Sequence, residues 1–313
     1  MTPIKIVIVG YGKIAQDQHL PTLRSRSAFA LAGVASLRNP LSQNHLSGVP
    51  SFGDLRSLAE AIPDLAAVAL CTPPQVRYEI AREALERGLH VLLEKPPGIT
   101  VSEVQALSHI ARRKNVTLFA SWHSRYAPGV APARSWISQR QVRRVAVSWK
   151  EDVRVWHPGQ TWIWSAGGLG VFDPGINALS ILTHIIPGAL ILKAAELHFP
   201  TNCATPIAAS LRLNDPQGAP IHMELDFLQK GLQTWDINVD TDDGSLELSM
   251  GGKRLSLGSI PAAIDDTPEY RALYTRFAEL VDARRCDVDL APLQLVADAF
   301  LCGRRIDTTP FIE

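Results

Sequence analysis

"IKIVIVGYGKIA", residues 4 to 15, opens as a β-branched apolar run interrupted only by Lys5 and passes through two glycines into helical spacing. A continuous apolar run of this kind is the pattern of a parallel strand covered on both faces. The glycines sit as Gly10-Tyr11-Gly12-Lys13-Ile14-Ala15, a GxGxxA turn. The first permits a tight turn, the second lets a pyrophosphate approach the backbone, and Ala15 keeps the helix close to its strand. The helix N-terminus then faces the anion, so Gly10, Gly12, Lys13 and Ile14 are candidate dinucleotide contacts. The alternative is a mere tight turn, which the strand-turn-helix context disfavours.

Working outward, the strand-like "FALAGVAS" covers 29 to 36, and its end should carry the ribose-reading residue roughly 20 positions beyond the glycines. Ser36 and Arg38 stand there, with no carboxylate to accept from a ribose 2′-hydroxyl. A hydroxyl and a guanidinium suit a 2′-phosphate, which favours NADP while leaving NAD possible. Arg38 could equally be a solvated loop arginine. "LAAVALCT", "QVRYEIAREALERG", "LHVLLEKPP", "SEVQALSHIARRK" and "VTLFASW" continue the alternation of strand and helix to residue 122. Short connections between such segments predict right-handed βαβ units and a doubly wound parallel sheet. Ligands bind beyond the carboxyl ends of its strands. "CTPP" and "EKPP" fall there, which adds Thr72, Pro73, Glu94 and Lys95 to the candidates.

The chain has 313 residues, enough for two domains, expected at 1–122 and 123–313, with room for a cleft. Lysine plus arginine and aspartate plus glutamate balance at 31 each, which removes the electrostatic argument for nucleic acid or an anionic membrane. The four cysteines are widely spaced and form no CxxC pair, so neither a disulfide framework nor a metal site is expected. No apolar run reaches the ~18 residues of a membrane span, and a strand-like run beginning at Ile4 leaves no room for a signal peptide. A cytoplasmic protein acting on a small molecule is the expectation.

After Trp122 the pattern changes. "RRVAVSWKEDV" reads as a strand and "PGINALSILTHII" as a helix, followed by strand-like runs across 190 to 258 and two closing helices. Consecutive strands without helices between them predict a large, mostly antiparallel sheet, hence a C-terminal α+β domain behind the Rossmann domain. One free sheet face could dock a second copy, so a homo-oligomer is expected. Aromatic and polar residues crowd 149 to 164, as a sugar would require, since ring faces stack on indoles and hydroxyls need fixed partners. Packing is the simpler role for Trp149, Trp162 and Trp164. His123, just past the last Rossmann strand, is a site candidate or a structural histidine. In "FDPGINALS", Asp173 followed by Pro174 has the form of a helix N-cap with proline behind it. Asn177 lies four residues on, on the same side, so the pair could instead project from a helix N-terminus that favours an ionised carboxylate.

GxGxxA, "CTPPQVRYEIAREALERGLHVLLEKPPG" and "GGLGVFDPGINALS" together resemble the Gfo/Idh/MocA family of NAD(P)-dependent sugar oxidoreductases. "DQHLP" at 17 to 21, "WKEDVRVWHPGQ" at 149 to 160 and Asn177 are similar to its bacterial branch acting at C1 of L-arabinose and D-galactose. The resemblance implies that Lys95 is the catalytic lysine beside the nicotinamide, with Glu94 near its ribose and a cis bond before Pro96. It implies sugar contacts from Glu151, Trp156, His157 and Trp235, and oxidation of an aldopyranose to its lactone. Two departures stand out: Arg77 and Asn177 replace histidines of the common family pattern. The second leaves proton transfer to Asp173 or Lys95. Another sugar or inositol dehydrogenase of the family, or a non-enzymatic NADP-binding regulator, are the alternatives.

Overall fold

The computed structural model describes residues 3–25, 28–36, 46, 48–265 and 267–313. Contacts divide them into two units, Met1–Ser121 with Tyr270–Asp289, and Trp122–Glu269 with Leu290–Glu313.

The first unit is built on a six-stranded sheet: β1 (Ile4–Val9), β2 (Phe29–Ala35), β3 (Ser51–Phe52), β4 (Ala67–Leu70), β5 (His90–Glu94) and β6 (Leu118–Ser121). The order is β3-β2-β1-β4-β5-β6 and every pairing is parallel. This is the doubly wound arrangement expected, with the order reversing beside β1. Ile6, Val7, Ile8, Val68, Leu70, Val91, Leu92 and Leu93 are fully buried, as a sheet covered on both faces requires. The helix Pro74–Glu86 lays Ala81, Ala84 and Leu85 on it, and Val101–Lys114 lays Val104 and Leu107. A capping box starts the latter: the Glu103 amide donates to Thr100 Oγ1, and the Thr100 amide to Glu103 Oε2.

The helix Glu269–Asp282 contributes Tyr270, Leu273, Tyr274 and Phe277 to this same unit. Phe277 stacks on Phe29 at 5.1 Å and on Phe119 at 6.0 Å. A single boundary after residue 122 therefore leaves out the returning segment Tyr270–Asp289. Its amphipathic face finds apolar cover on the first sheet, a pairing that local sequence does not record.

The second unit holds nine strands: β7 (Val142–Lys150), β8 (Ile191–Pro200), β9 (Ala208–Asn214), β10 (Pro220–Asp226), β11 (Thr234–Thr241), β12 (Gly244–Ser249), β13 (Arg254–Leu257), β14 (Ile260–Pro261) and β15 (Arg304–Thr308). Their order is β14-β13-β12-β11-β7-β10-β9-β8-β15. Only β7 with β10 and β8 with β15 run parallel, so the sheet is mixed and largely antiparallel. Buried Leu211, Ile221, Met223 and Leu225 alternate with exposed Arg212, His222 and Glu224, the period of a sheet covered on one face. The helix Phe172–Ile185 lies very close to β10: a Cβ on Gly175 would come 2.6 Å from Leu225 Cδ1. No described helix is long and apolar enough to cross a membrane.

Candidate active site

In the first unit the candidate site is the row of turns at the carboxyl ends of β1, β4 and β5. Gly10 has φ +91°, and a Cβ there would fall 2.7 Å from Thr72 N and 2.8 Å from Cys71 C. Only glycine permits that close approach of the first turn to β4. Among the described residues, a Cβ on Gly12 would meet nothing within 4 Å. Among the described residues the buried Thr72 Oγ1 has no hydrogen-bond partner. A bare glycine backbone, a helix starting at Lys13 and an unpartnered hydroxyl beside them fit the phosphates of a dinucleotide. Ser36 is held by its amide donating to Phe52 O at 3.0 Å, whereas Arg38 lies outside the described residues.

The "EKPP" turn is held from inside. The Lys95–Pro96 peptide is cis. Arg77 is buried, and its guanidinium donates to the backbone carbonyls of Thr72, Glu94 and Pro96, tying the ends of β4 and β5 together. Glu94, 2% exposed, turns its carboxylate into the protein. Its Oε1 is 2.9 Å from His19 Nε2 and accepts from Tyr270 OH at 2.9 Å, while Oε2 accepts from the Lys95 amide at 3.0 Å. Glu94, expected near a ribose, is thus engaged by partners of its own unit. Lys95 follows it, half-buried.

The second unit gathers most of the expected sugar contacts. Asp152 caps a short helix, Val153–Trp156, by accepting from the Arg154 amide, and this turns the chain after β7. Glu151 is 2% exposed and accepts from Trp235 Nε1 at 2.9 Å through Oε2. Its Oε1 lies 3.0 Å from His157 Nε2. His157 Nδ1 in turn lies 3.7 Å from Asp173 Oδ2. An ionised Glu151 can only accept, so Nε2 of His157 carries a hydrogen. The Trp156 ring meets Trp235 edge-on at 4.8 Å and stays partly exposed, while Trp149 stacks on Trp235 at 6.3 Å and is buried. Trp164 packs on Phe227 and Phe311.

Asp173 is not the N-cap. The helix Phe172–Ile185 has Val171 in that place with no side-chain cap, and Asp173 sits in the first turn, buried, with its amide donating to Gly170 O at 2.9 Å. The carboxylate that the capping role would have consumed faces His157 instead. Asn177 follows one turn on, half-buried. His123 pairs through Nδ1 with Glu269 Oε2 at 2.8 Å.

Sequence reading missed His19, the reach of Arg77, and the two tyrosines of the returning helix. "DQHLP" carried the one visible signal, a histidine two residues before a proline inside a helical pattern.

Fold and turns together define a dinucleotide-binding oxidoreductase of the Rossmann type. The chain belongs to the Gfo/Idh/MocA oxidoreductase family, whose NAD-binding Rossmann-fold domain matches residues 4–121. It is 43% identical over 313 residues to a galactose 1-dehydrogenase of Pseudomonas fluorescens, covering 100% of both chains. The crystal structure of a D-galactose-1-dehydrogenase protein from Rhizobium etli superposes with a TM-score of 0.93 at 48% identity, covering 100% of this chain and 99% of that one. A 3-ketoreductase from Actinomadura kijaniata, in complex with TDP-benzene and NADP, shares the fold at a TM-score of 0.84 and 18% identity, covering 98% and 99%.

Proposed function

We propose that the protein oxidises an aldopyranose of the D-galactose, L-arabinose and D-fucose type at C1, giving the aldonolactone, with NADP preferred over NAD. The observation that carries the reading is the Glu151–His157–Asp173 chain beside a partly exposed Trp156, in a protein 43% identical to a galactose 1-dehydrogenase. It sets a buried carboxylate beside an imidazole nitrogen, and an indole on which a sugar C–H face can stack.

Gly10, Gly12, Lys13, Ile14, Thr72 and Pro73 would hold the dinucleotide, Ser36 and Arg38 its 2′-phosphate. When bound, the nicotinamide supplies the hydride acceptor at its C4. At the sugar, the C1–H bond breaks with its electron pair leaving toward that acceptor, the O1–H proton goes to Asp173, and a C1=O bond forms. Lys95 donates to O1 and stabilises the negative charge growing there, and Asn177 orients the same hydroxyl. Glu151, His157, Trp156 and Trp235 fix the ring, because transfer needs C1 about 3 to 3.5 Å from the acceptor carbon. His123 belongs to the sugar side in this reading. The three sugars share configuration at three adjacent carbons and differ at C5, so one pocket accepts them all.

We include in the proposal a homo-oligomer docked through the open face of the nine-stranded sheet, which sedimentation velocity tests directly. The catalytic reading is tested by mixing the protein with each nicotinamide cofactor and a panel of aldoses and inositols while following absorbance of the reduced nicotinamide. Turnover confined to galacto-configured aldoses supports it. Turnover on inositols alone, or none at all, refutes it. Loss of NADP preference in Arg38→Ala is expected, and an unchanged preference removes Arg38 from phosphate recognition.

A further inference from the structure

Building on the aldose-oxidising reading, we propose that His19 is a positioning residue: its imidazole pins the Glu94 carboxylate and, through it, the peptide that carries Lys95. His19 is fully buried, in a wide helical turn where the Leu20 amide donates to Ala15 O, five residues back. Pro21 follows and offers no N–H to the next rung of the ladder. Wide turns of this kind recur where a helix must aim a side chain out of normal register.

The imidazole has a partner on each nitrogen: Glu94 Oε1 at 2.9 Å from Nε2 and Tyr274 OH at 2.7 Å from Nδ1. The rings of Tyr270 and Tyr274 meet it edge-on at 5.1 and 5.7 Å, which leaves it no room to turn. Tyr270 OH donates to the same Glu94 oxygen, so Oε1 is held twice and Oε2 is left to accept from the Lys95 amide. Arg77 holds the Glu94 carbonyl from the other side. The peptide entering Lys95 is therefore fixed at its carbonyl, at its amide and at the preceding side chain. Removing His19 leaves Tyr270 as the remaining donor to Oε1 and loosens one of the three restraints. Burial disfavours charge on the ring, but the Cys71 thiol, the Tyr274 hydroxyl and Glu94 around it raise the His19 pKa well above the ordinary imidazole value. Burial pushes the Tyr274 phenol up to about 12, so it stays neutral beside the ring.

The experiment compares His19→Leu, which removes both hydrogen bonds, with His19→Gln, whose amide can donate to Glu94 and accept from Tyr274. Two readouts are taken on the full chain. The first is hydrogen exchange at the Lys95 amide, in protein without cofactor or sugar. Pro96 and Pro97 carry no amide and leave the signal clean. The second is kcat and KM for the aldose, with the cofactor Kd measured by calorimetry. In His19→Leu, Lys95 exchange should rise at least about tenfold, as expected when a local restraint is lost. Its kcat should fall about tenfold to 100-fold, the scale set by a mispositioned acid or base, with the cofactor Kd within about threefold. His19→Gln should restore both. Wild-type exchange in His19→Leu, or a kcat loss that glutamine does not relieve, overturns the proposal. Should the leucine variant not fold, His19→Asn, whose shorter amide falls short of Glu94, takes its place, and unchanged exchange at Lys95 there overturns the proposal as well. A wild-type protein that oxidises no aldose refutes the functional reading alone, since the exchange measurement needs no turnover.

Discussion

Replacing Glu151 by alanine removes the acceptor of two donors at once, Trp235 Nε1 and the hydrogen on His157 Nε2. Each donor stranded away from water costs about 1–3 kcal/mol. Trp235 and His157 are only half-buried, so water reaches part of what is lost and the lower half of that range applies. Two such donors at about 1 kcal/mol each, plus about 0.8 kcal/mol for the one missing methylene, give about 3 kcal/mol. Glutamine behaves differently. Trp235 can only donate and so takes the amide oxygen, leaving the NH₂ facing His157 Nε2. That contact survives only if the ring hydrogen moves to Nδ1, so the variant exchanges charge-assisted bonds for neutral ones at a cost of about 1 kcal/mol. The relocated hydrogen then points at Asp173 Oδ2, 3.7 Å away, and competes for the carboxylate proposed to take the O1 proton. Glu151→Gln should therefore keep its fold yet lose at least about tenfold in kcat/KM. Urea denaturation followed by tryptophan fluorescence suits the measurement. The seven tryptophans, at 122, 136, 149, 156, 162, 164 and 235, all lie in the second unit, so the signal reports the unit that carries the mutation. Alanine within about 0.5 kcal/mol of wild type, or glutamine as costly as alanine, would refute the reasoning.

Three further outcomes are expected. Gly10→Ala, whose Cβ would meet backbone 2.7 Å away, should fold poorly, whereas Gly12→Ala, with nothing within 4 Å, should melt like wild type yet bind cofactor at least about tenfold more weakly; calorimetry and thermal melts separate the two, and unimpaired binding by Gly12→Ala contradicts the cradle. His90 Nδ1 accepts from the Thr117 amide at 3.0 Å, and burial, with the Arg284 charge second, lowers its pKa. A base depressed by folding adds stability above its unfolded value of about 6.5 and loses it as pH falls below. Wild type should thus lose stability relative to His90→Asn between pH 7 and 5, and parallel curves would remove His90 from the acid response. Lys95→Ala should cut kcat by about 100-fold with cofactor binding intact, and near-normal turnover would take Lys95 out of the chemistry.

Much of the first unit was legible because its signals are local and periodic. The glycine turn, the apolar runs of β1, β4 and β5, and the amphipathic helices between them each predict one element. The second sheet announced itself by alternation. What stayed hidden depends on where distant segments meet. Helix Glu269–Asp282 looks like any amphipathic helix, and nothing within it records that Tyr270 and Tyr274 close over Glu94 and His19. Arg77 reads as one more helix arginine until its three carbonyl partners appear. Asp173-Pro174 mimics a cap because capping preference is statistical, while Val171 takes that place here. Glu151 and His157, six residues apart across a short helix, were singled out by the family resemblance, but their bond to each other required the turn after β7.

In the proposed reaction the hydrogen leaving the sugar is the one on C1, and it departs as hydride. Supplying D-galactose deuterated at C1 together with oxidised NADP, and weighing both products, tests this directly. The reduced nicotinamide should gain the deuterium and the lactone should carry none. Deuterium retained in the oxidised sugar would contradict it.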